Sequence, residues 1–323
     1  MPVMDTDRDM LEQFEQHGYV VVKGLLDPTD DLRPVMVEYH DLLERLATEW
    51  YVQGKLSSDY SELPFGKRLS QIVAETKGEV QKHLDISLPQ KDLQPDTPIH
   101  CGAAVFDLLT NEKLLDAVEQ FIGPEIYSNP VQHVRIKPPE RYLPTDGPII
   151  GEIARTIWHQ DQGTILEEAD ETAMITVWIA VTESTRENGC LVVVPGSHKR
   201  GLVLHCHDPQ ATFSRHAIPE RLVGQDRIPL PMKPGDVLFL TSLTMHNSLP
   251  NLSDDIRWSF DLRYSPIGEP TGRPWFPGFV ARSRSHPELK LNNAEAWAAS
   301  WDKARARLAH MPPPRFQRWE QRS

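Results

Sequence analysis

The sequence predicts a mainly β protein, a sandwich or jelly-roll barrel carried between helical segments. Three observations predict it. Up to about residue 130 the apolar residues recur at helical spacing, and from Val131 to Tyr264 the texture changes to short strands cut by turns. One late strand, residues 256–264, is two-faced: Arg257, Ser259, Asp261 and Arg263 alternate with Trp258, Phe260, Leu262 and Tyr264. An apolar face this complete wants a helical layer behind it, which turns the polar face toward the barrel interior.

In chain order, residues 7–16 read as a short helix with Met10, Leu11 and Phe14 on one face. His17-Gly18 ends it, and the β-rich run 19–22 follows. Residues 32–52 form a longer helix whose stripe of Val35, Tyr39, Leu42, Leu46 and Trp50 is a packing face rather than a ligand box. The stretch 57–96 is polar and proline-bounded, with a helix expected from about 69 to 84. A further helix over 111–122 takes Thr110 as its N-cap and stops at Gly123-Pro124.

Strands are then expected over 131–137, 154–161, 173–181, 190–194, 237–240 and 256–264. Glu187-Asn188-Gly189 marks a turn, because an Asn-Gly step suits positive φ. The polar stretch 205–227 is long enough to be a lid or substrate loop. A proline- and glycine-rich coil runs over 266–287, and a helix over 293–310 closes the chain. We read 1–323 as a single domain: a mainly helical layer over 1–130, a jelly-roll core over 131–265, and a C-terminal coil and helix over 266–323.

Bulk properties narrow the function. A net charge of −12 argues against a nucleic-acid or anionic-membrane surface, and no run approaches the length of a membrane span. Three scattered cysteines make neither a disulfide framework nor a zinc spacing. No secretory or peroxisomal address is visible, so a cytoplasmic setting is expected, with a small-molecule substrate and neither nucleic acid nor membrane as partner.

The chemistry is expected at Trp158-His159-Gln160-Asp161 and, far along the chain, His246-Asn247-Ser248. On a strand, His159 and Asp161 would point to the same side, presenting an imidazole nitrogen and a carboxylate oxygen to one metal. A second imidazole from His246 completes a two-His, one-carboxylate triad, an arrangement that suits non-haem Fe(II) and leaves coordination positions open. A His-x-Asp pair alone arises by chance; its company gives it weight. The competing pair His205 and His207 lacks the glutamate a cupin-type site would want a few residues on, and His198 reads as a turn residue.

That company is Thr176-Val177-Trp178-Ile179-Ala180, Glu187-Asn188-Gly189-Cys190-Leu191, Pro195-Gly196-Ser197-His198 and Arg257. With these residues the chain resembles the phytanoyl-CoA dioxygenase family of Fe(II)- and 2-oxoglutarate-dependent oxygenases, from about Val131 to Tyr264. The resemblance implies a double-stranded β-helix (jelly-roll, cupin-like) fold flanked by N- and C-terminal helices. It implies Fe(II), 2-oxoglutarate and O2 as cofactor and co-substrates, and His159, Asp161 and His246 as metal ligands. Arg257 matches the arginine that pairs with the distal carboxylate of 2-oxoglutarate, a role suited to a planar, permanently charged fork. Ser248, Lys137, Gln132 and Trp178 follow as further co-substrate contacts.

The implied reaction is hydroxylation of a small organic molecule with release of succinate and CO2. Desaturation, cyclisation and epimerisation use the same chemistry, and a non-catalytic jelly-roll binder is the rival class. The carboxylate at Asp161 argues against halogenation, since halogenating relatives carry a small residue there. A coenzyme A thioester does not follow for so acidic a chain; a secondary metabolite, amino-acid derivative or other free small molecule is preferred. Trp158, Gln162 and the 205–227 loop are expected to bound its pocket.

Overall fold

A computed structural model describes residues 7–144, 153, 156–207 and 216–319. The N-terminal part supplies helices α1 (Asp7–His17), α2 (Arg33–Val52), α3 (Phe65–Glu75), α4 (Gln81–Leu84), α5 (Ala103–Leu109) and α6 (Glu112–Ile122), with strand β1 (Tyr19–Val22) after the first. The expected 69–84 helix is broken in two. Lys77 and Gly78 sit at φ 52° and 86°, and the Gly78 N–H closes the end of α3 on the Val73 carbonyl at 2.9 Å. Helix α5 was not expected. Thr110 belongs to its end, donating to the Phe106 carbonyl, while Asn111 caps α6 by accepting from the Leu114 N–H.

Strands follow as β2 (Glu125–Lys137), β3 (Ile175–Ala180), β4 (Leu191–Val193), β5 (Cys206–His207), β6 (His216–Ala217), β7 (Ile228–Leu230), β8 (Val237–Thr241), β9 (His246–Ser248), β10 (Arg257–Pro266) and β11 (Phe279–Ser283). Helix α7 (Ala294–Leu308) comes last. The major sheet has the antiparallel order β1-β8-β3-β10-β2-β11, and the minor sheet β7-β4-β9 faces it. This is the jelly-roll. Two strands lie outside the expected core region: β1 forms one edge, and β11, within the expected coil, pairs with β2 at the other.

Strand β10 explains the architecture. Trp258, Phe260, Leu262 and Tyr264 are buried in one core with Tyr39, Leu43, Ile72, Phe106 and Trp297, so the helices cover the outer face of the sheet. Tyr39 donates to the Leu84 carbonyl and Tyr264 to that of Leu109, so each buried hydroxyl finds a backbone acceptor. The opposite face of β10 looks into the sandwich beside Lys137, Arg135 and His133 of β2, to which Arg257, Ser259 and Asp261 are directly paired. A second apolar cluster, including Trp178, Leu191, Leu238 and Leu240, fills the remaining interior. No described helix is long and apolar enough to cross a membrane.

Candidate active site

Strand β9 and the segment before Asp161 bring the two imidazoles together. His159 and His246 exchange both backbone hydrogen bonds at 3.0 Å, so the 156–160 segment lies antiparallel to β9 as an extension of the minor sheet. The expected strand over 154–161 is only this single bridge, and Ala154 lies outside the described residues. Asp161 does not share a strand face with His159. It opens a tight helical turn, Asp161–Thr164, and the carboxylate swings back to the imidazoles across that turn.

Gly163 makes the turn possible. A side chain there would meet the His205 ring at 2.4 Å. His205 accepts from the Gln160 N–H at 3.0 Å and stacks on Trp319, whose Nε1–H donates to the Gly163 carbonyl at 2.6 Å. Burial lowers the His205 pKa to about 4, so the ring stays neutral and able to accept. The His205-Cys206-His207 segment, expected as plain loop, thus contributes a brace for the turn.

Each imidazole is aimed by a backbone carbonyl. His159 Nδ1 pairs with the Ile157 carbonyl at 2.8 Å and His246 Nδ1 with that of Thr244 at 3.0 Å, so both rings carry the proton on Nδ1. Their Nε2 atoms lie 3.5 Å (His159) and 3.9 Å (His246) from Asp161 Oδ1, and one donor atom from each residue falls within 4.8 Å of the others. Burial lowers the His246 pKa to about 4, against the pull of Asp161. Burial acts upward on Asp161, but Arg263 and the two imidazoles bring its carboxyl well below the usual range. Two imidazoles and one carboxylate form a donor set fit for a divalent metal with open positions.

The Asp161 carboxylate is held from both ends. Thr176 donates to Oδ2, and Arg263 Nη2 donates to Oδ1 at 2.7 Å. Thr176 was legible only as part of a motif, and Arg263 only as an interior residue of its strand. Removing the Thr176 hydroxyl with valine is expected to weaken Mn(II) binding by about 10- to 100-fold, the usual loss when a partner that orients a ligand is removed. Isothermal titration of metal-free protein measures it; unchanged affinity would show that Thr176 does not orient the ligand.

A small interior pocket adjoins the triad and is lined in part by Thr176, Trp178, Leu191, Leu240 and Arg257. Arg257 is fully buried. One guanidinium nitrogen donates to Ser259 Oγ at 2.5 Å, the group lies 5.4 Å from the Trp178 ring, and Nε and Nη2 have no protein partner. Burial lowers its pKa to about 10, so it remains a cation at neutral pH. Lys137, paired in register with Arg257, donates to Ser248 Oγ at 2.8 Å and to the Leu249 carbonyl at 2.7 Å. Ser248 Oγ also accepts from the Thr156 N–H, which leaves its own hydrogen to donate. Two unsatisfied N–H groups on a buried cation fit a carboxylate.

Gln132 is not brought there. Its amide donates to the Ile86 carbonyl in the helical layer. Gln132 was expected from the resemblance alone; it stands an odd number of residues before Lys137, so strand alternation itself turns it to the opposite face, toward the helices.

The larger cavity, about 510 Å³, opens beside His159 and Asp161 and is walled by the 81–92 segment, Val131, His133, Arg273 and Gln317. This corrects the expected boundary. Trp158 packs with Val194, Ile218 and Val223, and the Gln162 amide donates to the Ala169 carbonyl and Asp170. His216 represents the 205–227 loop in the wall, and residues 208–215 of that loop lie outside those described.

The phytanoyl-CoA dioxygenase (PhyH) family model matches residues 14–259. The chain belongs to that family. Among its relatives, a 1-deoxypentalenic acid 11-beta-hydroxylase of Streptomyces arenae is 28% identical over 85% of this chain and 88% of its own. The peroxisomal phytanoyl-CoA dioxygenase of Bos taurus is 26% identical over 78% of this chain and 66% of its own. The solved structure of ThoJ, described as a non-heme monooxygenase, superposes with a TM-score of 0.57 at 17% identity, covering 93% of this chain and 96% of that one, a likeness of fold. With the family and the His-Asp-His cluster together, this protein is a non-haem Fe(II)- and 2-oxoglutarate-dependent oxygenase.

Proposed function

We propose that His159, Asp161 and His246 hold the iron, that Arg257 anchors 2-oxoglutarate, and that the enzyme hydroxylates a small, polar, anionic organic molecule in the 510 Å³ cavity. The observation that carries this reading is the buried Arg257 fork with two unsatisfied N–H groups, set beside a two-imidazole, one-carboxylate cluster. When bound, ferrous iron and 2-oxoglutarate supply the activation of dioxygen, with release of succinate and CO2 and transfer of oxygen to substrate.

The protein's part is positioning. Arg257 and the Ser248 hydroxyl take the distal carboxylate, and Trp178 walls the guanidinium. Lys137 holds Ser248 in the donating geometry; its burial and the neighbouring Arg257 and Arg135 push its pKa well below that of a free lysine. These groups keep the co-substrate dry and in one orientation, which strengthens every charge contact there.

The substrate class rests on the cavity wall. Lys82, Lys91, Arg135, Arg263 and Arg273 outnumber Asp85, Asp92 and Asp161, a balance opposite in sign to the chain as a whole and favourable to an anion. A relative named for hydroxylating a carboxylic acid accords with this. A cavity of this size suits a compact metabolite. The three cysteines are unpaired, in keeping with a cytoplasmic setting.

The test needs no substrate. Anaerobic Fe(II) and 2-oxoglutarate are expected to give a visible charge-transfer band that His159→Ala abolishes, and admission of O2 to give slow succinate formation. Neither band nor succinate from folded protein would leave the non-catalytic binder as the better reading.

A further inference from the structure

We propose that Arg263 is a built-in counter-ion for the metal site. It takes the metal's electrostatic place at Asp161 in the metal-free chain, and afterwards makes binding of metal and of 2-oxoglutarate depend on each other. The proposal rests on the assignment of His159, Asp161 and His246 as metal ligands.

Asp161 Oδ1 is the oxygen that faces both imidazoles, and it is also the oxygen that accepts from Arg263 at 2.7 Å. Both side chains of that ion pair are almost wholly buried. Asp261, an interior acid on β10, is paired with Arg135. Arg263 Nε has no partner, and its Nη1 reaches only the Asp261 carbonyl at 3.4 Å, so its firm bond is to the candidate metal ligand. A buried carboxylate without a counter-charge is expensive, so Arg263 makes the folded, metal-free site tolerable.

The same placement has a cost once a dication arrives. Metal and guanidinium then share one carboxylate, and they repel. A co-substrate dianion with one end on Arg257 and the other toward the metal offsets that excess of positive charge. Arg263 therefore disfavours metal alone and favours 2-oxoglutarate once metal is present. Because coupling between two ligands is reciprocal, each then strengthens the other.

The experiment titrates Mn(II) into the metal-free full-length protein, and 2-oxoglutarate into the Mn(II)-loaded protein, for wild type, Arg263→Gln and Arg263→Lys. Glutamine keeps an N–H for Oδ1 without the charge. Lysine keeps the charge without the fork. Arg263→Gln is expected to bind Mn(II) about 10-fold tighter than wild type and 2-oxoglutarate about 10-fold more weakly, within the 5–150-fold range usual for coupled ligands. Arg263→Lys is expected to retain the wild-type coupling.

Weaker or unchanged Mn(II) binding by folded Arg263→Gln would make Arg263 a plain scaffold for Asp161 and overturn the proposal. Loss of coupling in Arg263→Lys would overturn it too, and that variant decides if the glutamine protein does not fold. His246→Ala separates the two levels. If it binds Mn(II) as wild type does, the ligand assignment itself fails; if it does not while Arg263→Gln misbehaves, only the counter-ion proposal falls.

Discussion

Replacing Asp161 by alanine is expected to cut succinate formation by at least about 1000-fold, roughly 4 kcal/mol in the barrier. The change removes the sole carboxylate of the donor cluster. It also strips Arg263 of its buried partner, so the protein should lose about 3–5 kcal/mol of stability, the range for breaking a buried pair from one side. The two effects can be pulled apart. In the double variant Asp161→Ala with Arg263→Met no charge is left stranded, so denaturant unfolding should recover most of the lost stability while succinate stays at background. Recovery of activity in the double variant would mean that Asp161 serves only to neutralise Arg263.

What the sequence disclosed and what it withheld follow from the range of the interactions concerned. Strand β10 was readable because one face must meet the helices and the other the interior, which writes strict alternation into Trp258, Phe260, Leu262 and Tyr264. The pairing of His246 with Ser248 was readable for the same reason, since β9 is a regular strand whose two ends are both buried. The partnership of His159 and Asp161 was named from spacing and family likeness, yet the backbone reaches it through a turn. That turn is set by Gly163 beneath His205 and by Trp319 from the far end of the chain, contacts with no local signature.

Other departures have causes of their own. The break at Lys77-Gly78 is a local signal that the helical stripe around it masked. Strand β11 exists because the edge of β2 offers it hydrogen bonds, not because the proline-rich coil around it favours extension. Gln132 was carried over from family likeness, although strand alternation from Lys137 and His133 already turns it away from the interior. The cavity wall at 81–92 was opaque because its lining residues, among them Lys82, Asp85, Gln90 and Asp92, follow no apolar period.

Arg257→Met is expected to trade affinity for stability, and this is the second large effect. In the unliganded protein the guanidinium is a fully buried cation with one modest hydrogen bond to Ser259 and two N–H groups without protein partners. Such a group costs folding free energy until an anion arrives. Methionine fills similar space without charge, so the metal-loaded protein free of 2-oxoglutarate should unfold at higher denaturant or temperature than wild type. Affinity for 2-oxoglutarate should fall by about 2–5 kcal/mol, the range for truncating one partner of a buried, hydrogen-bonded charge pair, or roughly 30- to several thousand-fold. Arg257→Lys tests whether the fork or the charge matters. A lone ammonium cannot make two parallel bonds to a carboxylate, so its affinity should lie between the two. Isothermal titration of Mn(II)-loaded protein gives the affinities, and thermal melts with and without 2-oxoglutarate give the stabilities. Wild type should gain the larger ligand-induced rise, because only there does the ligand complete an unpaired interior charge. Equal rises in wild type and Arg257→Met would place the distal carboxylate elsewhere in the interior, with Lys137 and Ser248 as the next candidates.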